Sequence, residues 1–373
     1  MRSVDAVVIG GGIAGVSTAY YLSETHHVVL IEAEPHLAYH STGRSAALYF
    51  ENYGAAPNRP LTRASRGFFF DPPPAMSAEP LVSPRGALWI AGPDQEAALV
   101  EIETQGRETG CNLIRISPAE AAEMVSVIVA DGLAGAIHEP DPMDMDVAGI
   151  HQAFVAGFRL AGGEVLTSAP VTSLDRRPDG GWAVEAGSHR IEAGVVVNAA
   201  GAWGDRVAAL AGIEPVRLTP LRRTAFMVAG EPSWAKWPMV VDAEHRFYFK
   251  PESSQLLCSP ADETPTDPGD VRPDPLDVAL AVERINSATT LGIRSVRTEW
   301  AGLRTFAPDR VMVIGPDDQH PGFVWLVGQG GTGIQTAPAA GQLVAALTRG
   351  EPLPPELADA GVDPERLAVG RLR

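Results

Sequence analysis

An α/β fold, half of it a nucleotide-binding unit and half an α+β unit on an antiparallel sheet, is predicted by three features of this 373-residue chain. Val4-Asp5-Ala6-Val7-Val8-Ile9 runs into Gly10-Gly11-Gly12-Ile13-Ala14-Gly15, and Val28-Val29-Leu30-Ile31 ends on Glu32. Two later apolar runs, Val195-Val196-Val197 before Asn198-Ala199-Ala200-Gly201 and Phe323-Val324-Trp325-Leu326-Val327 before Gly328, also close on glycine. Between them, from Leu221 to about Val296, alternating polar strands replace the continuous apolar ones. Strand, glycine turn, helix, strand and acid in this order form a Rossmann-type dinucleotide unit.

Each part of the opening unit has a mechanical task. Gly10 permits the tight turn, Gly12 lets the backbone approach a pyrophosphate, and Gly15 lets the helix press on the strand. Ile13 and Ala14 begin the helix whose unpaired N–H groups and dipole favour phosphate. Glu32 is placed to accept from ribose hydroxyls and would repel a 2′-phosphate, so the expected ligand is FAD or NAD.

The rest follows along the chain. Tyr39-His40-Ser41-Thr42-Gly43-Arg44-Ser45-Ala46-Ala47 is rich in hydroxyls and small residues, suited to gripping an anion or a flavin ring. A Pro-rich link follows from Asp71 to Pro84. Val82 to Ile90 reads as a strand, Gln95 to Glu108 as a helix, and Ser117-Pro118 as a capped helix start. Residues 146–161 carry Val147, Ile150, Phe154, Val155 and Phe158 at helical spacing. The segments 164–166, 171–174 and 182–185 alternate as a small antiparallel sheet does. An acidic, Pro-rich loop from Asp262 to Asp277 is expected to be solvated. Gly328-Gln329-Gly330-Gly331-Thr332-Gly333 opens a last helix, a second dipole site. The expected division is discontinuous: 1–80, 145–215 and 310–373 form the FAD-binding domain, and 81–144 with 216–309 the substrate-binding domain.

Composition narrows the function classes. The net charge of −17 argues against nucleic acid or an anionic membrane surface as a partner. No apolar run approaches the ~20 residues of a membrane span, and the first strand begins too early for a signal peptide, so a cytoplasmic monomer is expected. The two cysteines, Cys111 and Cys258, show neither disulfide nor zinc spacing and are expected to be buried. No metal site is suggested.

The Gly10–Gly15 turn, Glu32, His40-Ser41-Thr42-Gly43-Arg44-Ser45, Asn198 to Trp203, Ala301-Gly302-Leu303-Arg304 and Gly328 to Gln335 together resemble the FAD-dependent D-amino-acid oxidase superfamily, in particular bacterial FAD D-amino-acid dehydrogenases of the D-arginine dehydrogenase type. The resemblance covers essentially the whole chain. It implies FAD, with Glu32 on the adenosine ribose, Val171 on the adenine, and Ser41, Thr42, Arg44, Ser45 and Ala46 around the ribityl chain and flavin. It further implies Ala200, Gly201 and Trp203 in the cofactor site, with Gly330, Gly331, Thr332, Gly333, Ile334 and Gln335 on the flavin's N1/O2 side. His40 shares its spacing to Gly43 with histidyl-flavin members. The reading adopted for it is a hydrogen-bonded loop histidine with FAD bound noncovalently.

The implied reaction is oxidative deamination of a D-amino acid by hydride transfer from Cα to flavin N5, which needs a carboxylate clamp more than an acid or base. Arg222 and Arg304 are the candidate clamp, with Tyr248 adding a phenolic hydrogen bond and Tyr53 as a lid. Arg223, one residue along a regular strand, points the other way and is assigned a structural role. The substrate pocket is assigned to Leu48, Phe50, Ala87, Met239 and Thr332. Where a basic side chain would need a carboxylate, the sequence has Leu48-Tyr49-Phe50 and Gly86-Ala87-Leu88, so an apolar or aromatic substrate is expected, unless Glu51 turns inward. The alternatives are a sarcosine or glycine oxidase-like enzyme acting on secondary amines, a 2-hydroxy-acid dehydrogenase with His40 as base, and a non-enzymatic flavoprotein. The electron acceptor is open between oxygen and a quinone or other carrier.

Overall fold

The computed structural model describes residues 2–373. Strand Arg2–Ile9 lies inside an eight-stranded sheet, parallel to Val28–Ile31 on one side and to His189–Asn198 on the other. Phe323–Val327 and Glu164–Leu166 extend the parallel set. Runs buried on both faces are what such strands require. Ala6, Val8, Val28 and Leu30 pack under helices Ile13–Leu22, Val147–Leu160 and Gly333–Arg349. Val7, Ile9, Val29 and Ile31 face Trp182, Val207 and Trp325 on the other side.

The second sheet has nine strands and carries the alternating segments. Thr219–Ala229 pairs antiparallel with Thr298–Phe306 along one edge and with Gln255–Ser259 along the other. From there the sheet continues through Tyr248–Glu252 and Met239–Asp242 to Ala87–Ala91 and Gly135–Glu139. Leu88, Phe226 and Phe249 meet helices Pro118–Met124 and Pro275–Ala288 on one face. Trp89, Met227, Val241 and Tyr248 line the opposite face together with Phe50. Cys258 is buried on the first of these faces with Phe226 and Phe249, its thiol pushed far upward by burial, whereas Cys111, expected to be buried, is only half-buried.

Local structure departs from the sequence expectation at two places. The strand read across Val82 to Ile90 is broken into Val82–Pro84 and Ala87–Ala91, because Gly86 takes a left-handed φ of 72°. The Asp262–Asp277 segment is not a free solvated loop. Asp262 and Asp277 pair with Arg222, Glu263 with Arg223 and Arg310, and Asp270 with Arg44. The expected Ser117 cap is present as a full capping box with Glu120.

At Gly15 a Cβ would overlap the Gly10 carbonyl oxygen, a backbone atom that cannot give way. Gly15→Ala is therefore expected to lose FAD retention and to destabilise the fold by about 1–3 kcal/mol, read by flavin absorbance after gel filtration and by denaturant unfolding.

Candidate active site

One cavity of about 1090 Å³ runs between the two sheets, from Glu32 and Val171 at one end to Arg304, Met239 and Tyr248 at the other. That volume exceeds what a lone small substrate needs and suits an extended dinucleotide plus a ligand. At the first end Gly10 has φ 113°, and a Cβ on Gly12 would sit 3.2 Å from Thr42 Oγ1. Thr42 Oγ1 in turn accepts from Ile13 N at 3.0 Å. The Glu32 carboxylate is already aimed: Oε2 accepts from Gly11 N at 2.7 Å and Oε1 from Glu34 N at 2.9 Å. Ala14, Ser41, Ser45, Ala46, Ala200, Gly201 and Trp203 line the same channel.

Two buried polar atoms in this lining have no protein partner, His40 Nδ1 and Gln329 Nε2. Orphaned polar atoms on a cavity wall indicate a polar ligand. With the glycine cradle, they fit a bound FAD. His40 otherwise shares a 2.9 Å contact with Glu34 Oε1 and packs on Trp203, its ring centroid 4.6 Å away.

At the far end Arg304 is half-buried in the cavity wall, and its Nη1 donates to the Tyr53 hydroxyl at 2.9 Å. Burial penalises this guanidinium, but Tyr53, Tyr248 and Glu263 outweigh the penalty and hold it charged. In return Arg304 pulls the Tyr53 phenol below its ordinary value. A Cβ on Gly331 would lie 3.0 Å from both the Arg304 guanidinium carbon and the Tyr53 oxygen. The second glycine turn, with Gly330, Thr332, Gly333 and Ile334, therefore abuts this cation. Among the described residues no carboxylate forms an ion pair with Arg304, so the site holds a cation ready for an anionic ligand group.

The second arginine is Arg223 and not Arg222. In the antiparallel register Arg304 stands opposite Leu221, and Arg223 opposite Gly302, so Leu221, Arg223 and Arg304 share a face. Arg223 lines the cavity, its charge disfavoured first by burial and then by Arg304. Arg222 points outward and is held by Asp277 at 2.6 Å and Asp262 at 3.2 Å. Alternation along the strand is as expected. The choice of face is reversed, because the pairing with Thr298–Phe306 decides it.

Further placements differ from expectation. Ala87 is buried behind the wall and Trp89, two residues on, faces the cavity in its stead. Gln335 does not face the cofactor channel. Its amide clamps both backbone groups of Phe50, accepting from N at 2.9 Å and donating to O at 3.2 Å, and also reaches Thr62. Arg44 borders the cavity, but its guanidinium is committed to Ala301 O and Asp270. Gly15 acts by close packing behind the turn. Glu51 turns away to accept from Tyr49 at 2.7 Å, leaving Leu48, Phe50, Trp89, Met239 and Val241 as an apolar wall.

Sequence reasoning missed His245, which reaches the cavity from the turn after Met239–Asp242 with φ 58° and lies edge-on to Trp89. Asp242 fixes that turn by accepting from the backbone of Glu244 and Arg246. Burial, then Arg223, pushes its imidazole below the ordinary histidine value.

Residues 5–347 match the family model described as DAO, FAD dependent oxidoreductase. The chain belongs to this family. The superfamily and FAD are thus those the motifs implied. Human mitochondrial dimethylglycine dehydrogenase is 27% identical over 266 residues, covering 69% of this chain but only 30% of the relative, so the chain spans less than a third of that protein. Glycine oxidase of Bacillus licheniformis is 25% identical over 384 residues, covering 99% of this chain and 100% of the relative. The crystal structure of glycine oxidase from Geobacillus kaustophilus superposes with a TM-score of 0.84 over 97% of this chain and 99% of that one, at 22% identity, a likeness of fold. These relatives are a glycine oxidase and a dimethylglycine dehydrogenase, not the D-arginine dehydrogenase type that the motifs suggested. Among the described residues no helix is long and apolar enough to cross a membrane.

Two outcomes follow for this family member. Arg223→Gln is expected to weaken binding of a carboxylate probe roughly tenfold or more. Arg222→Gln should leave that affinity unchanged and lower stability by about 1–2 kcal/mol. Flavin difference spectra and denaturant unfolding read the two effects separately.

Glu139, buried behind Trp89 and accepting from its Nε1 at 3.4 Å, is pushed up to about 7 by burial, against 4.5 ordinarily. The folded state thus keeps a proton that the unfolded chain loses, and stability should fall by about 3 kcal/mol as pH rises from 4.5 to about 7. Glu139→Gln should remove that slope in unfolding curves taken across the window.

Proposed function

We propose that this chain oxidises, with FAD bound noncovalently, the carbon–nitrogen bond of a small amine that carries a carboxylate. The observation that carries the reading is Arg304: a half-buried guanidinium in the cavity wall with a neutral side-chain partner, set against the second glycine turn of a dinucleotide cradle. Guanidinium and carboxylate match in charge and in fork geometry. Arg304 and Arg223 bind the carboxylate, and the Tyr53 hydroxyl, lowered by Arg304, adds to the anion-binding face. Tyr248 stands two strands from Arg223, across Gln255–Ser259, and is buried near the two arginines.

Bound FAD supplies the two-electron acceptor. The protein's work is orientation. Gln335 fixes the Phe50 backbone, and Phe50 with Trp89 and Met239 forms the wall against which the rest of the substrate rests. A neutral amine needs no strong base, and burial disfavours the charged form of nearby His245. The dipole of the 17-residue helix Gly333–Arg349 points its positive end at the turn carrying Gly331.

The relatives' names favour glycine and N-substituted glycines as substrates. The apolar wall favours a second reading, a D-amino acid with an apolar side chain, since that wall offers no charge to a basic one. The accompanying proposals are a cytoplasmic monomer and an electron acceptor other than the substrate.

Anaerobic mixing of the yellow protein with glycine, sarcosine, N,N-dimethylglycine, D-leucine, D-methionine, D-phenylalanine, their L-forms and 2-hydroxy acids should bleach the flavin band with amines only. Arg304→Gln should lower kcat/KM for the best amine by roughly a hundredfold. Bleaching by hydroxy acids alone, or by no small molecule, refutes amine oxidation. A protein that releases no flavin on acid precipitation refutes noncovalent binding.

A further inference from the structure

The substrate end of the cavity holds three guanidiniums, Arg223, Arg304 and Arg310, and one carboxylate, Glu263. Glu263 is divided between two of them. Its Oε1 accepts from Arg223 Nη2 at 3.1 Å, and Arg310 Nη2 donates to Oε1 at 2.9 Å and to Oε2 at 3.0 Å. Arg223 is further fixed by its Nε donating to Asp262 O at 2.8 Å. The Arg310 guanidinium is laid over the Phe306 ring, 3.8 Å from its centroid, on a residue with φ 62°. Arg304 has no share in this carboxylate and pairs with neutral Tyr53.

Glu263 and Arg310 come from different parts of the chain. Glu263 sits on the acidic segment that runs over the edge of strand Thr219–Ala229, and Arg310 on the turn between Thr298–Phe306 and Val313–Pro316. Their pairing brings an acid to the one place where a carboxylate on the substrate's far end would find guanidiniums. A guanidinium pair already shared with Glu263 offers less to a further anion, since a second carboxylate would have to displace Glu263 or sit beside its like charge, in a pair that is itself partly exposed.

We infer that Glu263 is a specificity-determining residue that stands in for a second substrate carboxylate, so that the site accepts amines with one carboxylate and an uncharged remainder and rejects dicarboxylic ones. The inference rests on the proposed carboxylate-binding role of Arg304. It also accounts for the coexistence of a cation cluster and an apolar wall in one cavity: Glu263 offsets part of the cluster's charge and leaves Arg304 without a carboxylate of its own.

The test uses the FAD-loaded protein and non-reacting probes, propionate and butyrate against malonate and succinate, followed by flavin difference spectra and calorimetry. The native protein should bind each monocarboxylate at least as tightly as its dicarboxylate counterpart. Glu263→Gln keeps the shape and frees two guanidiniums, and should raise the dicarboxylate-to-monocarboxylate affinity ratio roughly tenfold or more. With sarcosine and iminodiacetate as substrates the kcat/KM ratio should move the same way. A ratio within twofold of native in a Glu263→Gln protein that retains FAD overturns the inference. Should that variant shed FAD, Arg310→Gln tests the same balance from the other side: it removes one cation, and the ratio must fall below native, an unchanged ratio again overturning the inference. Loss of all carboxylate binding on Arg304→Gln, with the Glu263 ratio unchanged, would sink the specificity role and leave the clamp. Probe binding indifferent to Arg304 would sink the clamp itself.

Discussion

The antiparallel register between strands Thr219–Ala229 and Thr298–Phe306 is the constraint on which the site depends. Because side chains alternate with a period of two, a slip of one residue would send every functional group on one strand to the wrong face. The register puts Leu221 opposite Arg304 and Arg223 opposite Gly302. It thereby commits Arg223 and Arg304 to one cavity and Arg222 to the outside. Gly302 matters here as an opening: a Cβ on it would approach Arg44 Cβ at 3.5 Å and Ser41 Cα at 3.9 Å, so the strand lies directly against the flavin-side loop. Ser41 Oγ donating to Leu303 O at 2.7 Å and Trp300 Nε1 donating to Arg44 O at 3.0 Å sew that loop to the same strand. One strand thus carries the cation and fixes its distance from the cofactor cradle.

What could be read from the sequence is what is local. Gly10, Gly12, Gly15 and Glu32 act within about twenty residues of one another, and their tasks are set by backbone sterics that any such turn obeys. Arg304 was legible because its context is a motif. Arg223 was not, because the face of an arginine in a strand depends on a partner strand some eighty residues away. Ala87 and Trp89 show the same failure in a milder form: the two share a face of strand Ala87–Ala91, and only the larger Trp89 reaches the cavity. Gln335 was assigned to the cofactor from its place in the glycine turn, yet it lies three residues into the helix Gly333–Arg349 and so points back to Phe50.

The Asp262–Asp277 segment is the plainest case of composition misleading. Acidic and Pro-rich stretches are solvated when nothing cationic faces them. Here four arginines do. Arg222 and Arg223 come from adjacent positions on one strand, Arg310 from a turn beyond it, and Arg44 from the flavin-side loop. Individually such half-exposed pairs contribute little. Together they hold the segment along a fixed path beside the cavity, and they explain why a chain with 46 acids spends arginines from both sides of the site on one loop.

That arrangement separates two properties an enzyme of this family must tune. The proposed cofactor cradle lies in the glycine turns and the His40–Ala46 loop, where a Cβ on Gly10, Gly15 or Gly43 would meet backbone atoms. The charge at the substrate end is set by Arg223 and Arg304 on two paired strands, and by Glu263 on a strap and Arg310 on a turn. Arg304 is held charged by Tyr53, Tyr248 and Glu263, yet its side-chain hydrogen bond goes to a neutral phenol and not to a carboxylate. Its fork therefore stays available to an arriving carboxylate, while the apolar wall adds shape and little charge. Changing Glu263 or Arg310 alters which anions the cluster welcomes without touching a residue that holds the flavin. Specificity in this molecule can therefore vary while the cofactor cradle stays as it is.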